Sequence, residues 1–276
     1  MTKRNKKNNK PQPKKAANPH VVQIRRGSHT DWPDLWAEVF IAADNTVEER
    51  LIAEMMMIGG KCRKAESVET ADIVIFGGGA DVQPHLYGEL PHSSTRCDPA
   101  RDKADRELWK YCYENGVPMM GICRGAQFGH VMMGGKLYQD VDNHNSEHGM
   151  WLVEENRIIP SISSVHHQMV RPNDGMTLLG TIHGRSTRRY TTPTVMANGK
   201  NDDIEAFFYR DACFFGVQGH PEYCRYTQYR YWVLETMKQL LVENPDLVLT
   251  SDRVRRLKKD ILENRPKIKE LKTEKS

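Results

Sequence analysis

The chain has 276 residues and a mass of 31.8 kDa, a length that accommodates one substantial hydrophobic core and favours a single catalytic domain with tails. Its mean hydropathy is −0.67, and no apolar run approaches the roughly 18 residues that cross a bilayer, which argues against a membrane protein. The net charge is only +4, and the six cysteines show neither CxxC pairs nor regular spacing, which argues against a disulfide framework or zinc ribbon and for a reducing, cytoplasmic compartment.

The first residues are basic. Residues 1–15 contain seven Lys or Arg and no acid. Such a composition cannot bury enough apolar surface to fold by itself, so we predict a disordered, solvated tail over residues 1–19. A nucleic-acid contact through this tail is the alternative. The segment lacks the apolar stretch of a secretory signal.

Strands and helices alternate through the first half of the chain, which is typical of a largely parallel sheet flanked by helices. Apolar runs that end at turn residues predict strands at 21–24, 71–76 and 117–120. Apolar residues at helical spacing predict helices at 47–58 and 105–114. This half therefore predicts an α/β fold.

The second half is richer in β-like segments. Residues 146–176 contain short β-like runs, and residues 203–208 and 212–218 are predicted to form two adjacent strands. A helix is predicted at 226–242. We therefore assign residues 20–244 to one catalytic domain and residues 245–276 to a C-terminal amphipathic helix, N-capped by Ser251, with a basic tail.

Cys123 lies in the segment Gly121-Ile122-Cys123-Arg124-Gly125, between an apolar strand and the start of a helix. At such a turn, glycines two residues before and after a nucleophile leave room for the neighbouring strand and helix. The first N–H groups of the helix then favour the thiolate form of the cysteine. The pattern predicts a nucleophile for acyl transfer, with a buried structural cysteine as the alternative.

A base for Cys123 is predicted in His220-Pro221-Glu222, directly after an apolar strand. If Pro221 keeps this segment extended, the side chains of His220 and Glu222 point the same way, and the carboxylate can orient the imidazole. The other imidazole nitrogen would face Cys123 and complete a Cys–His–Glu triad.

Two backbone N–H groups are predicted to bind the oxyanion that forms during acyl transfer. The first is that of Arg124, directly after the nucleophile. The second is that of Gly78 or Gly79, in a glycine-rich turn where the main chain can approach a substrate closely.

Four blocks of sequence resemble the class I glutamine amidotransferase-like superfamily and, within it, the γ-glutamyl-γ-aminobutyrate hydrolase-like (peptidase C26) branch. In chain order they are residues 78–84 (GGADVQP) with 87–89 (YGE), 121–127 (GICRGAQ) running on to 134–140 (GGKLYQD), 165–168 (VHHQ), and 204–206 (IEA) followed by 216–222 (GVQGHPE). Several motifs in the family's order are much more specific than any one of them.

The resemblance implies a flavodoxin-like α/β fold and hydrolysis of a γ-glutamyl amide through a γ-glutamyl thioester. The nucleophile, base and orienting acid of the family correspond to Cys123, His220 and Glu222, and its oxyanion donors correspond to Arg124 and Gly78 or Gly79. Contacts with the glutamyl part of a small-molecule substrate are implied for Gln127, His167 and Gln168.

The chain departs from the family pattern at two places. Phe76 and Gly77 replace the residues that usually precede the paired glycines. Gly219 stands where an aromatic residue usually precedes His-Pro-Glu, which predicts a more open wall beside His220.

The histidines at 144, 148, 166 and 167 raise the alternative of a metal site. His144 and His148 lie four residues apart in a polar loop without an evident third ligand, so no metal is expected. The proposed chemistry requires no cofactor.

Three functions remain open on the sequence. The first is free hydrolysis of glutamine or a γ-glutamyl amine, and the second is a glutaminase subunit that delivers ammonia to a separate synthase. The third is a non-catalytic binding or scaffold protein on the same fold, against which the intact Cys, His and Glu argue. The amine half of the substrate and the oligomeric state are not predicted.

Overall fold

The structure is a computed structural model that describes residues 37–57, 62–184, 187–192, 196–198, 203–224 and 227–243. The predicted basic tail, the predicted strand at 21–24 and the predicted helix from Ser251 lie outside the described residues.

Fourteen strands and four α-helices are present in the described residues. The strands are β1 (Glu38–Ala42), β2 (Arg63–Lys64), β3 (Ile73–Phe76), β4 (Met119–Ile122), β5 (Leu137–Tyr138), β6 (Asp140–Val141), β7 (His148–Leu152), β8 (Arg157–Ile162), β9 (Met169–Val170), β10 (Met176–His183), β11 (Arg189–Thr191), β12 (Met196–Asn198), β13 (Ile204–Tyr209) and β14 (Phe214–Val217). The helices are α1 (Thr46–Met56), α2 (Pro99–Asn115), α3 (Arg124–Met132) and α4 (Gln228–Met237), which continues as a π-helical turn over Lys238–Glu243.

Nine of these strands form one sheet, in the order β2-β1-β3-β4-β14-β13-β10-β7-β8. The first five are parallel neighbours. From β14 to β8 each neighbouring pair is antiparallel. The predicted α/β fold with a mostly parallel sheet and a β-rich continuation is therefore confirmed.

Both faces of the sheet are buried. Along β3, Ile73 and Ile75 pack into one apolar core, whereas Val74 and Phe76 pack into a second core on the opposite face. Successive side chains of a strand point to opposite faces, so a continuous apolar run is what a doubly covered parallel strand requires.

The predicted helices are present, but α2 begins six residues earlier than the apolar spacing indicates. Helix α2 begins at Pro99 because the side chain of Asp98 accepts hydrogen bonds from two N–H groups of its first turn. Helix α3 begins at Arg124, directly after Cys123. Among the described residues, no helix has the length and apolar content needed to cross a bilayer.

The two glycines around Cys123 pack without any free space. A Cβ atom on Gly121 would lie 2.5 Å from the backbone N of Ala126, and one on Gly125 would overlap the carbonyl oxygen of Phe76. The close contact brings the start of α3 against the end of β3. Because β3, β4 and β14 are adjacent and parallel, their carboxyl ends meet at one edge of the sheet.

We predict that Gly125→Ala lowers the free energy of unfolding by at least about 3 kcal/mol, because the backbone of Phe76 cannot move without distorting β3. Gly175→Ala is the matched control: Gly175 has a φ of 78° but nothing within 4 Å of an added Cβ, so only backbone strain of about 1 kcal/mol is expected. Urea denaturation measures both. Equal losses in the two variants would contradict the prediction.

Candidate active site

Cys123 lies in the turn between β4 and α3. Its φ of 50° is in the left-handed region, which is uncommon for a residue with a side chain, and its ψ is −110°. The Cys123 N–H donates to the carbonyl oxygen of Val217 at 2.8 Å, which ties the turn to β14. A strained strand-to-helix turn of this kind exposes a nucleophile above the sheet edge.

His220 follows β14 and lies between Cys123 and Glu222. Its Nδ1 lies 2.6 Å from Oε1 of Glu222, and the side chain of Cys123 lies near enough to raise the pKa of its imidazole. Both Cys123 and His220 are close to the glycine-rich turn, because a Cβ on Gly78 would lie 3.1 Å from Cε1 of His220 and 3.9 Å from Cβ of Cys123. The structure thus brings the three predicted triad residues together.

The segment around His220 is a turn, and the extended conformation predicted for it is wrong. The N–H of Tyr223 donates to the carbonyl oxygen of His220 at 3.3 Å. The buried Arg230 side chain of α4 donates to the carbonyl oxygens of Pro221 at 2.9 Å and Glu222 at 2.6 Å. These bonds to Arg230 fix the turn, and the turn rather than strand alternation places the carboxylate beside the imidazole.

The environment of His220 favours its protonated form. Burial lowers the pKa of His220, but the adjacent Cys123 and the Glu222 carboxylate together raise it to about 11. The ring of Tyr223 also stacks on the imidazole, with 4.7 Å between ring centres. An imidazolium beside Cys123 stabilises a thiolate.

Gly219 does not open the wall beside His220, so the expectation drawn from this residue is wrong. A Cβ on Gly219 would lie 2.8 Å from the carbonyl oxygen of Ser163 and 2.9 Å from the hydroxyl of Tyr229. The buried Tyr229 ring, which comes from α4, therefore fills this region.

The glycine-rich turn already donates one hydrogen bond to a carboxylate. Glu48 is 6 % exposed, and its Oε1 accepts the N–H of Gly78 while its Oε2 accepts the N–H of Asp44 at 2.9 Å. The turn needs glycine for this contact, since a Cβ on Gly77 would lie 2.7 Å from Oε1 of Glu48. For the N–H of Gly79, no hydrogen bond to any described residue is found.

Arg124 is held by a buried ion-pair network. Its guanidinium binds the carboxylates of Asp102 and Asp105 on α2, and all three side chains are almost inaccessible. Asp105 also binds Nε of Arg101 at 2.9 Å. Because a buried charge needs partners, this network links α2 firmly to the first residue of α3.

The three predicted substrate-binding residues lie in two neighbouring segments. Gln127 on α3 donates through Nε2 to the backbone oxygen of Gln168 at 3.0 Å. The side-chain amide of Gln168 is buried, and neither its oxygen nor its nitrogen has a hydrogen-bond partner. Nε2 of His167 lies 3.2 Å from Oδ2 of Asp81, and this hydrogen bond raises the pKa of His167 against the opposing effect of burial.

The sequence of this chain matches that of a known family. The sequence pattern of the peptidase C26 family matches residues 52–222, which include the glycine-rich turn, Cys123, His220 and Glu222. The chain belongs to the peptidase C26 family.

Two curated proteins are similar to this chain over about half of its length. The glutamine amidotransferase-like protein YvdE of Lactococcus lactis is 29 % identical over 172 residues, which cover 55 % of this chain and 66 % of YvdE. The γ-glutamyl-γ-aminobutyrate hydrolase PuuD of Escherichia coli K12 is 28 % identical over 167 residues, which cover 55 % of this chain and 63 % of PuuD. The chain thus spans slightly less than two thirds of these relatives.

Solved structures share the fold at low sequence identity. A GMP synthase subunit protein of Thermoplasma acidophilum has a TM-score of 0.51 and 13 % identity, over 75 % of this chain and 93 % of that one. PurLQS of Thermotoga maritima has a TM-score of 0.51 and 15 % identity, over 74 % and 96 %. At this low identity, the similarities show only that the chain shares the fold of these structures.

Sequence reasoning missed three residues that shape the site: Glu48, Asp81 and Arg230. Asp81 directly follows the glycine-rich turn, so its position could have suggested a role. Glu48 and Arg230 lie in ordinary amphipathic helices, and nothing in their local sequence distinguishes them from exposed charges.

We predict that His220 stays protonated well above neutral pH, because its raised pKa of about 11 favours the imidazolium. Histidine-selective ¹⁵N NMR across pH 6–9 measures this, with His220→Gln to assign the resonance. In Glu222→Gln the same resonance should titrate at lower pH. Conversion of His220 to neutral imidazole below pH 7 in the wild type would refute the expectation.

We predict that Glu48→Ala lowers the free energy of unfolding by about 2 kcal/mol, because the N–H groups of Asp44 and Gly78 lose their acceptor. Glu48→Gln, which keeps one amide oxygen as acceptor, should cost less. Glu54→Ala on the exposed face of α1 is the control and should stay within about 0.5 kcal/mol of wild type. Chemical denaturation at pH 7 compares the three; a Glu48→Ala value equal to that of the control would be inconsistent with the two bonds.

Proposed function

We propose that the chain is a cysteine-dependent amidohydrolase that cleaves the γ-glutamyl amide of glutamine or of a γ-glutamyl amine. The observation that carries the proposal is the continuous chain of contacts from Cys123 through His220 to Glu222, at the edge of the sheet where the glycine-rich turn also lies. The assignment to C26 and the resemblance to γ-glutamyl-γ-aminobutyrate hydrolases support the choice of substrate class.

The proposed reaction has two halves. In the first, the Cys123 thiolate attacks the γ-carbonyl carbon, and His220 gives its proton to the departing amine, which leaves a γ-glutamyl thioester. In the second, His220 accepts a proton from water as the water attacks the thioester, and glutamate leaves while Cys123 returns to the thiolate. Glu222 keeps the imidazole in the orientation that both proton transfers need.

The negative charge on the carbonyl oxygen needs two N–H donors. We assign these to Arg124 and to the glycine-rich turn, where the N–H of Gly79 has no other described acceptor and the N–H of Gly78 serves only if Glu48 releases it. Each donor is expected to contribute about 3 kcal/mol to transition-state stabilisation.

The glutamyl part of the substrate is expected to contact Gln127, His167 and Gln168. The unpartnered amide of Gln168 can donate to and accept from a bound ligand. The protonated form of His167, which Asp81 favours, suits a substrate carboxylate.

We place the protein in the cytoplasm. All six cysteines are free thiols, and the proposed nucleophile works only in its reduced form.

The test measures release of glutamate and of amine from glutamine, γ-glutamyl-γ-aminobutyrate and a panel of γ-glutamyl amides. Wild type is compared with Cys123→Ala and with Cys97→Ser, which removes a thiol outside the elbow. We expect turnover of at least one substrate, lost by more than about a thousandfold in Cys123→Ala and retained in Cys97→Ser.

The failure modes of this test separate the alternatives. Activity retained in Cys123→Ala would overturn the assignment of the nucleophile. Labelling of Cys123 by a γ-glutamyl electrophile without turnover of any substrate would instead indicate a glutaminase subunit that needs a synthase partner. Absence of both labelling and turnover would favour a non-catalytic binding protein.

A further inference from the structure

Four buried polar side chains meet behind the triad. His144 lies in the loop after β6, His148 begins β7, His166 precedes β9, and Glu205 lies on β13. Their exposed fractions are 0, 9, 4 and 0 %, respectively. Burying four ionisable groups at one point is costly unless a partner satisfies them.

Each of the three imidazoles has one nitrogen whose proton is fixed by an acceptor. Nε2 of His144 lies 3.1 Å from the Asp203 carboxylate. Nδ1 of His148 lies 3.1 Å from the carbonyl oxygen of the next residue, and Nδ1 of His166 lies 2.9 Å from the carbonyl oxygen of Gln168. Carboxylates and carbonyls only accept hydrogen bonds, so these three nitrogens carry the protons. A ring that carries only this proton presents a lone pair on its other nitrogen.

These lone pairs and the carboxylate of Glu205 face one another. Nδ1 of His144 lies 3.5 Å and Nε2 of His148 lies 3.4 Å from the same Oε1 of Glu205. Those three atoms, together with Oε2 of Glu205 and Nε2 of His166, have no hydrogen-bond partner. Electron pairs that converge in this way repel one another unless a metal ion or a proton lies between them.

We propose that His144 Nδ1, His166 Nε2 and a carboxylate oxygen of Glu205 bind one Zn²⁺ ion beside His148. In a tetrahedral zinc site with bonds of about 2.0–2.1 Å, neighbouring ligand atoms lie about 3.3–3.4 Å apart, close to the 3.5 Å between His144 Nδ1 and Oε1 of Glu205. One ligand atom each from His144, His166 and Glu205 also lies within 4.8 Å of the other two. Imidazole with carboxylate is a donor set that suits zinc.

The surroundings of the cluster match those of a structural zinc site. The Asp203 carboxylate that orients His144 also accepts the N–H of Thr187 at 2.7 Å and the hydroxyl of Tyr190. Such outer partners fix the orientation of a ligating imidazole. The carboxylates of Glu205 and Asp203 together balance the charge of one divalent cation.

The site differs from the expectation of no metal drawn from the sequence. That expectation rested on the lack of a third ligand in the loop of His144 and His148. The further ligands come from His166 and Glu205, which are distant along the chain and adjacent only in the fold.

The zinc site is also a positioning device for the triad. The segment that contains His166 begins at Ser163, whose hydroxyl donates to the carbonyl oxygen of His220 at 2.9 Å and whose Oγ accepts the N–H of His220 at 3.1 Å. In the same segment, the hydroxyl of Ser164 and the N–H of His166 both donate to the carbonyl oxygen of His144. Loss of the ion should therefore loosen the support of the base.

The experiment measures bound metal in the full chain, purified with a cleavable tag that contains no histidine and without chelators. Inductively coupled plasma mass spectrometry should find about one zinc per chain. Glu205→Gln preserves the shape of the ligand but removes its charge, and we expect at least a tenfold loss of zinc. His85→Gln, at an exposed histidine in the 3-10 helix Pro84–Tyr87, is the matched control and should keep its zinc.

A second measurement keeps the proposal testable if Glu205→Gln does not fold. Wild type stripped by a chelator should unfold at a lower temperature and recover on addition of Zn²⁺. Reconstitution with Co²⁺ should give the visible bands of a four-coordinate site without thiolate charge transfer. Absence of binding by both Zn²⁺ and Co²⁺, a thiolate band, or equal zinc content in a folded Glu205→Gln would each overturn the proposal.

Discussion

The site depends on how closely α3 approaches β3. The contact between Gly125 and the carbonyl oxygen of Phe76 leaves no space for even one methyl group. The same contact brings the start of α3 next to the glycine-rich turn, since a Cβ on Gly125 would also lie 2.9 Å from the carbonyl oxygen of Gly77. The packing of one backbone segment against another thus sets the distance between α3 and β3, and with it the position of the proposed nucleophile.

The ion-pair network beneath this contact explains how α3 is fixed in rotation as well as in distance. The backbone N–H of Arg124 is a proposed oxyanion donor, while the side chain of the same residue is bound by Asp102 and Asp105. Removing either carboxylate would leave a buried, partly unpaired guanidinium, which is more costly than never having buried the charges. The ion pairs of the Arg124 side chain therefore help to hold the backbone N–H of the same residue in place.

The sequence was sufficient for the features that depend on local pattern. The strand before Cys123, the elbow glycines and the pairing of β13 with β14 follow from apolar runs and glycine spacing, and the structure has all of them. Features that depend on contacts between distant segments could not be read in this way. Neither the bond between Glu48 and Gly78 nor the convergence of His144 on Glu205 has any signature in the local sequence.

The contact between His220 and Glu222 also depends on a segment that is distant along the chain. Their spacing was consistent with strand alternation, yet the contact forms in a turn held by Arg230, whose side chain comes from α4. Likewise, the absence of a side chain at Gly219 suggests an open space beside His220, but the ring of Tyr229 fills that space in the fold.

The carboxylate of Glu48 would compete with a substrate that binds at the glycine-rich turn. It is an internal anion bound to an N–H group of the turn beside Cys123, so a substrate oxygen that is to use the same N–H must compete with it. The apparent dissociation constant then equals the intrinsic one divided by the fraction of molecules in which the carboxylate has moved away. The affinity for such a substrate would then depend on Glu48 as well as on the residues proposed to bind the glutamyl group.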